Sequence, residues 1–306
     1  DIDKSIDRYL AQIESADRLE TSLAKSKTER LENKISKLKK EIERLNAIEL
    51  QLEATLDKQL SLTDPDARSM KSRGAGVVGY NVQLAVDTKQ HLIIAHEVTN
   101  ASNDRAQLAH VSMQAKEAIA TDKLAVVADR GCYSGEEIKA CDDANIKVYL
   151  PKCETSGNQA KGFFGKRDFI YHPEADEYEC PAGERALYRF SRQENGKTIK
   201  RYWSSTCPQC ALKPQCTTGV NRRISRWEHE AVLDAVEDRI NQEPERMAAR
   251  RNTVEHPFAT FKSYTHFQTR TLEHVSTEMS LHVLAYNLKR MMNIFGVRGL
   301  IEAMQA

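Results

Sequence analysis

From Leu31 onward an apolar residue returns at alternating steps of four and three: Leu31, Ile35, Leu38, Ile42, Leu45, Leu52 and Leu56, with one slot missed at Glu49. Lys, Glu and Arg fill the flanks. A stripe this narrow is a heptad seam, and only another helix can cover it. Residues 1–62 are therefore predicted to form a helical hairpin or coiled coil projecting from a larger body. The pattern fits a self-contained antiparallel hairpin and an intermolecular zipper alike.

The chain has 306 residues, enough for one large domain with insertions or for two domains. Its 45 basic and 44 acidic residues leave a formal charge of +1, so any nucleic-acid surface must be a local patch. No apolar run approaches the ~20 residues that span a bilayer, and no secretory leader is visible, so no membrane partner is expected. Seven cysteines, an odd number with one C-x2-C pair, favour metal over a disulfide framework and fit a reducing cytosol.

"TDPDARSM" (63–70) breaks the helix. Two β-rich runs follow, 77–87 and 91–99, joined by a polar turn at 88–90, and they read as a hairpin. Residues 103–120 form an amphipathic helix with Asp104 near its start. "KLAVVAD" is a short buried strand, "SGEEIKACDDA" a helix opened by a Ser cap, and "IKVYLP" another strand. From 152 to 223 the chain turns polar and aromatic, with four cysteines. Helices are predicted again at 228–241, 243–262 and 276–295. The expected division is 1–62, 63–151, 152–226 and 227–306.

The β-branched run "VVAD" stops at Asp129, with a glycine two residues later. Functional groups gather where strands of α/β sheets end, although an Asp there can equally start a turn. The turn reading weakens beside a second carboxylate, Glu255 in "RRNTVEHPFATFK". On a helix Arg251, Glu255 and Lys262 share one face, while Val254, Phe258 and Phe261 give an apolar side that must pack. Glu255 can then sit at the sheet rim near Asp129. Two such carboxylates suit Mg2+, which takes oxygen ligands and is commonly completed by phosphate. Paired ions about 3.5–4 Å apart stabilise both oxygens in phosphoryl transfer. Arg251 and Lys262 would then face DNA phosphates.

"VVADRGCYSGEEI" together with "RRNTVEHPFATFK" resembles the DDE transposases of bacterial insertion sequences, whose catalytic core is ribonuclease H-like. The first stretch is similar to the family's second-aspartate motif, with Cys132 standing between Gly131 and Tyr133. The second is similar to its Tyr-x2-Arg-x3-Glu-x6-Lys signature at Arg251, Glu255 and Lys262, with Ala248 at the Tyr position. "GYNVQLAVD" and the helix from Leu281 to Asn293 extend the likeness over nearly the whole chain.

The resemblance implies an α/β fold: a ribonuclease H-like mixed sheet flanked by helices, carrying an inserted helical hairpin or coiled coil and a zinc-ribbon-like insertion. A hairpin suits the first insertion better, because its ends must rejoin adjacent strands. The implied reaction is Mg2+- or Mn2+-dependent phosphodiester cleavage followed by strand transfer, on double-stranded DNA of transposon ends and target. A homodimer on DNA in the bacterial cytoplasm, associated with the nucleoid, is implied as well. Three metal-binding acids are implied, and two are placed, Asp129 and Glu255. The first strand and its Asp are expected upstream of Asp1. The rival first acid is Asp87, which reads more simply as the residue opening a hairpin turn. A catalytically inactive DNA-binding or assembly protein, or a nuclease without strand transfer, would share these motifs.

Cys180, Cys207, Cys210 and Cys216 read C-x26-C-x2-C-x5-C. Thiolates on a tight C-x2-C turn suit tetrahedral Zn2+ at about 2.3 Å, so a structural zinc is expected there; the alternative is free thiols. "RRISRWEHE" supplies Arg222, Arg223 and Arg226 as candidate DNA-phosphate contacts and Trp227 as a candidate for base stacking, or else as a core anchor. His256, His266 and His282 lack ligand spacing and read as packing or surface residues.

Overall fold

The computed structural model describes residues 2–17, 22–55, 57–72, 75–153, 157–263 and 266–305, and Leu56 of the seam lies outside them. The chain divides into two compact units, one running to Tyr80 with Thr269–His274, the other comprising Asn81–Gln268 and the residues from Val275 on.

In the first unit α1 (Ile2–Asp17) lies against α2 (Ser22–Ala54), with the Lys34 ammonium 5.4 Å from the Tyr9 ring centroid. Leu31 and Ile35 are buried, but Leu45 is exposed. The reason is length: α1 has 16 residues and α2 has 33, so one cannot cover the other's whole seam. Two strands follow, β1 (Arg68–Ser72) and β2 (Ala75–Gly79), paired antiparallel. β1 was not foreseen, since its polar residues carry no alternation. The run expected as one strand from 77 to 87 is two, broken at Tyr80, whose phenol donates to Asp64 Oδ2 at 2.7 Å. Burial, then that carboxylate, push the phenol's pKa well up.

The second unit opens with β3 (Asn81–Val86) antiparallel to β4 (Ile93–Thr99). Helix α3 (Leu108–Ala118) starts five residues later than expected. Asp104 does not cap it, because its Oδ1 accepts from Asn81 Nδ2 and Gln83 Nε2, both at 2.7 Å. Then come β5 (Leu124–Val127), α4 (Gly135–Asp143) and β6 (Ile146–Tyr149), with β5 and β6 parallel, as a strand–helix–strand crossover allows. Ser134 stands at the N-cap of α4 in extended conformation, but its side chain makes no capping bond. Ile138, Cys141, Ile146, Val148 and Leu150 form the centre of the core here.

The cysteine-bearing stretch is a five-stranded antiparallel sheet: β7 (Ile170–His172), β8 (Glu177–Glu179), β9 (Arg185–Glu194), β10 (Lys197–Trp203) and β11 (Ile224–Trp227), in spatial order β11-β10-β9-β8-β7. Its small core holds Phe169, Tyr178, Ala186, Tyr202 and Ile224. Three helices complete the unit: α5 (Glu230–Gln242), α6 (Glu245–Ser263) and α7 (Leu272–Gln305). The first residues of α7 belong to the other unit. α7 is broken at Gly296, whose φ of 74° is open to glycine at no steric cost.

Residues Tyr286 to Arg290 of α7 latch the turn between β3 and β4. Asn287 accepts from Ile93 N–H at 2.9 Å and donates to Ile93 C=O at 2.8 Å. Tyr286 OH donates to His91 C=O at 3.0 Å, and Arg290 Nη2 to Gln90 C=O at 2.6 Å. No helix among the described residues is long and apolar enough to cross a membrane.

Candidate active site

Asp129 follows β5 in extended conformation (φ −84°, ψ 156°), at the carboxyl end of the parallel pair. Oδ1 accepts from Arg130 N–H at 2.7 Å, and Oδ2 lies 3.7 Å from Arg250 Nη2. The side chain is 64% exposed, so the carboxylate is anchored at one oxygen, while the other faces Arg250 and solvent.

Asp129 heads a cavity of about 670 Å3 whose walls are the edges of two strands. A cavity over a sheet face is lined by every second residue, because side chains alternate. Here the lining takes consecutive residues, 81–88 from β3 and its turn and 124–129 from β5, so the space runs along both edges. Helix α3 contributes Leu108, Val111 and Ala115, and α6 contributes Arg250, Thr253, Val254 and Phe258. Among the described residues β3 pairs only with β4, and β5 only with β6.

The sequence-predicted residues do not all gather here. Glu255 is exposed and absent from the cavity lining. On a helix it stands about 100° round from Val254, with the exposed Arg251 beside it. The Lys262 side chain lies outside the described residues. Asp87 lines the far end of the cavity, and its Oδ2 accepts from Lys89 and Gln90 N–H, the turn role that its type favours. Asp104 bonds the start of β3 and approaches Gly131, where an added Cβ would lie 3.5 Å from Oδ2. At ~3.3 Å per residue, Asp87 therefore sits roughly 20 Å down β3 from the Asp129 end.

Two residues that the sequence did not single out line the same cavity as Asp129. Arg250 shares a face with Val254 and Phe258, four and eight residues on, and that spacing could have found it. Asp104 had no separable signal, since an Asp before a helix ordinarily caps it. Burial, then the Asp104 charge, push the Cys132 thiol up to about 11 at the same cavity.

Cys180, Cys207, Cys210 and Cys216 line one cavity of about 30 Å3, roughly the space of a single water. Cys210 N–H donates to Cys207 C=O at 3.3 Å, closing the turn. Burial pushes the Cys216 thiol up, and the neighbouring Cys207, Cys180 and Cys210 add to the shift while Arg222 opposes it. Among the described residues no group of three or more His, Cys, Asp or Glu meets the geometry of a metal site.

The basic cluster divides. Arg222 donates to the Phe164 and Cys216 carbonyls and holds the cysteine loop. Arg226 is buried, 2.7 Å from Asp234 Oδ2 and 3.6 Å above the Tyr171 ring. Trp227 packs on the main core, where a Cβ at Gly135 would come within 3.1 Å of its ring. Only Arg223 of the three arginines is exposed. Arg226→Ala is expected to destabilise the protein by about 3 kcal/mol, at the low end for a broken buried pair because Asp234 is partly solvated; denaturant unfolding checks it, and a change under 1 kcal/mol refutes it.

An acid at a strand tip in a mixed α/β core, paired with an arginine at the edge of a cavity, is an arrangement suited to phosphoryl chemistry. The family model of the transposase DDE domain matches residues 53–288, well over half of the chain. The chain belongs to the DDE transposase family. No curated protein and no solved structure matches it. The family carries out DNA transposition and so binds DNA, generally with a divalent metal such as Mg2+.

Proposed function

We propose that this transposase cleaves DNA and transfers strands of an insertion sequence at the tip of β5. Asp129 and Glu255 hold divalent cations there, Mg2+ or Mn2+, and a third carboxylate enters on a strand seated between β3 and β5. The slot between the two strand edges carries the proposal. A strand of five or six residues would pair with both edges at about 4.8 Å, joining two separate pairs into one mixed, ribonuclease H-like sheet. An acid on that strand at the Asp129 end would meet Asp104 and Asp129. Asp87, at the other end, is left to its turn.

The cations supply charge that stabilises the attacking and leaving oxygens. Asp129 keeps Oδ2 available, with Oδ1 fixed by Arg130 N–H. Arg250 stands where a scissile phosphate would bring negative charge. Water attacks first, and the DNA 3′-hydroxyl that it frees attacks the target. Glu255 reaches the site if α6 rotates by about a quarter turn or more. Pro257, inside that helix, leaves the Thr253 carbonyl without its helical partner and weakens resistance to such a change. Arg251, Lys262 and Arg223 contact the DNA backbone, and two copies act on paired ends. One Zn2+ on Cys180, Cys207, Cys210 and Cys216 ties the five-stranded sheet together; the shared thiol cavity supports it.

The exposed position of Glu255 favours a second reading, a DNA-binding assembly protein without turnover. Cleavage of duplex carrying the element's ends, with Mg2+, separates the two. Glu255→Gln is expected to lose about 10²–10³-fold in cleavage with DNA binding retained. Unchanged cleavage removes Glu255 from the site, and wild-type binding without any cleavage favours the assembly protein.

A further inference from the structure

We infer that the cleft between α6 and α7 binds a phosphate of the DNA backbone, a contact separate from the Asp129 site; the inference rests on the DNA-binding reading above. The cleft holds about 400 Å3. From α7 it takes one stripe at helical spacing, including His282, Tyr286, Lys289 and Arg290, and from α6 it takes His256 and Thr260. No lining residue is acidic. Glu278, outside the lining, is 3.6 Å from His282 and also accepts from Gln268 N–H at 2.9 and 3.0 Å.

The two full cations differ in a useful way. Arg290 is pre-oriented: Nε and Nη2 both donate to Gln90 C=O, at 3.1 and 2.6 Å, which fixes the guanidinium plane and leaves Nη1 uncommitted among the described residues. Lys289 is exposed, with no carboxylate partner among the described residues. A fixed guanidinium and an exposed ammonium at one cleft suit a phosphate, which accepts directional bonds from the first and charge from the second. Tyr286 OH already bridges His256 Nδ1 at 2.8 Å and His91 C=O, so the floor is polar and satisfied. Phe261 and Ala285 add a small apolar part to the lining, but the uncompensated feature is positive charge. In a chain of net charge +1, such a local concentration is the form that a DNA surface must take.

Lys289 is the residue to change, because Arg290 also latches the β3–β4 turn. Binding of duplex DNA to the full chain would be measured from about 50 to 200 mM salt for the wild type, Lys289→Ala and Lys289→Glu. Loss of one phosphate contact is expected to lower the slope of log K against log salt by about 1, and Lys289→Glu to weaken binding further than Lys289→Ala. Unchanged affinity and slope in both variants overturn the inference. Calorimetry with inorganic phosphate forms a second arm: phosphate binding that is lost in Lys289→Glu while duplex binding is unaffected assigns the cleft to free phosphate compounds and overturns the DNA assignment. Duplex binding that is weakened at Lys289 in a protein without cleavage leaves this contact standing and fails the catalytic reading instead.

Discussion

Asp129→Ala is expected to lower DNA cleavage by about 10³-fold, with duplex affinity changed less than about threefold. The asymmetry follows from geometry. The carboxylate is 64% exposed and makes one backbone bond, so its removal leaves no buried group unsatisfied. The fold should therefore survive, and thermal melting within a few degrees of wild type is the control. Asp129→Asn keeps the Arg130 N–H bond but loses the charge, and should be as inactive as the alanine variant. Cleavage by Asp129→Asn at more than a tenth of the wild-type rate would remove this residue from metal binding. Equal loss of binding and cleavage would instead trace to Arg250, whose guanidinium would be released from its neighbour.

The second large effect concerns the thiols. Protein purified without added metal is expected to contain one zinc per chain by elemental analysis. Cys207→Ser and Cys210→Ser should lose it, and the sheet of β7–β11 should unfold with it. Structural zinc contributes on the order of 10 kcal/mol of apparent folding free energy in small domains. The core available to offset that loss is only five buried residues. Cys153→Ser, which removes a thiol 3.7 Å from the Arg130 carbonyl, serves as the control and should keep the zinc. A folded sheet with no zinc refutes the site.

What could be read from the sequence follows physical range. The position of Asp129 at a strand tip was legible because a β-branched run ends in an acid and a turn, all within ten residues. The gathering of the four cysteines at one cavity was legible by spacing. Arg250 was missed by one residue of helical phase: the doublet Arg250–Arg251 looks symmetric until the packed side, Val254 and Phe258, fixes the rotation. Arg226 and Trp227 read as a basic, aromatic surface because what buries them lies elsewhere in the chain: Tyr171, Tyr178 and Asp234 for one, Gly135 and the main core for the other. β9 escaped notice since nearly every residue in it is exposed, so no period-two pattern exists to detect.

The latch of α7 on the β3–β4 turn is a contact that forms only after α7 has been made. Its bonds join residues 194 to 200 positions apart. At about 5–20 residues per second, a ribosome needs roughly 10–40 s to travel from the turn to the helix that holds it. Through that interval β3 and β4 can lean on α3, made directly after them, but nothing from α7 holds their turn. An interrupted or truncated product ending before Tyr286 would thus carry Asp129 and all four cysteines yet lack a fixed β3 edge. The β3–β4 turn therefore gains its fixed position only after α7 has left the ribosome.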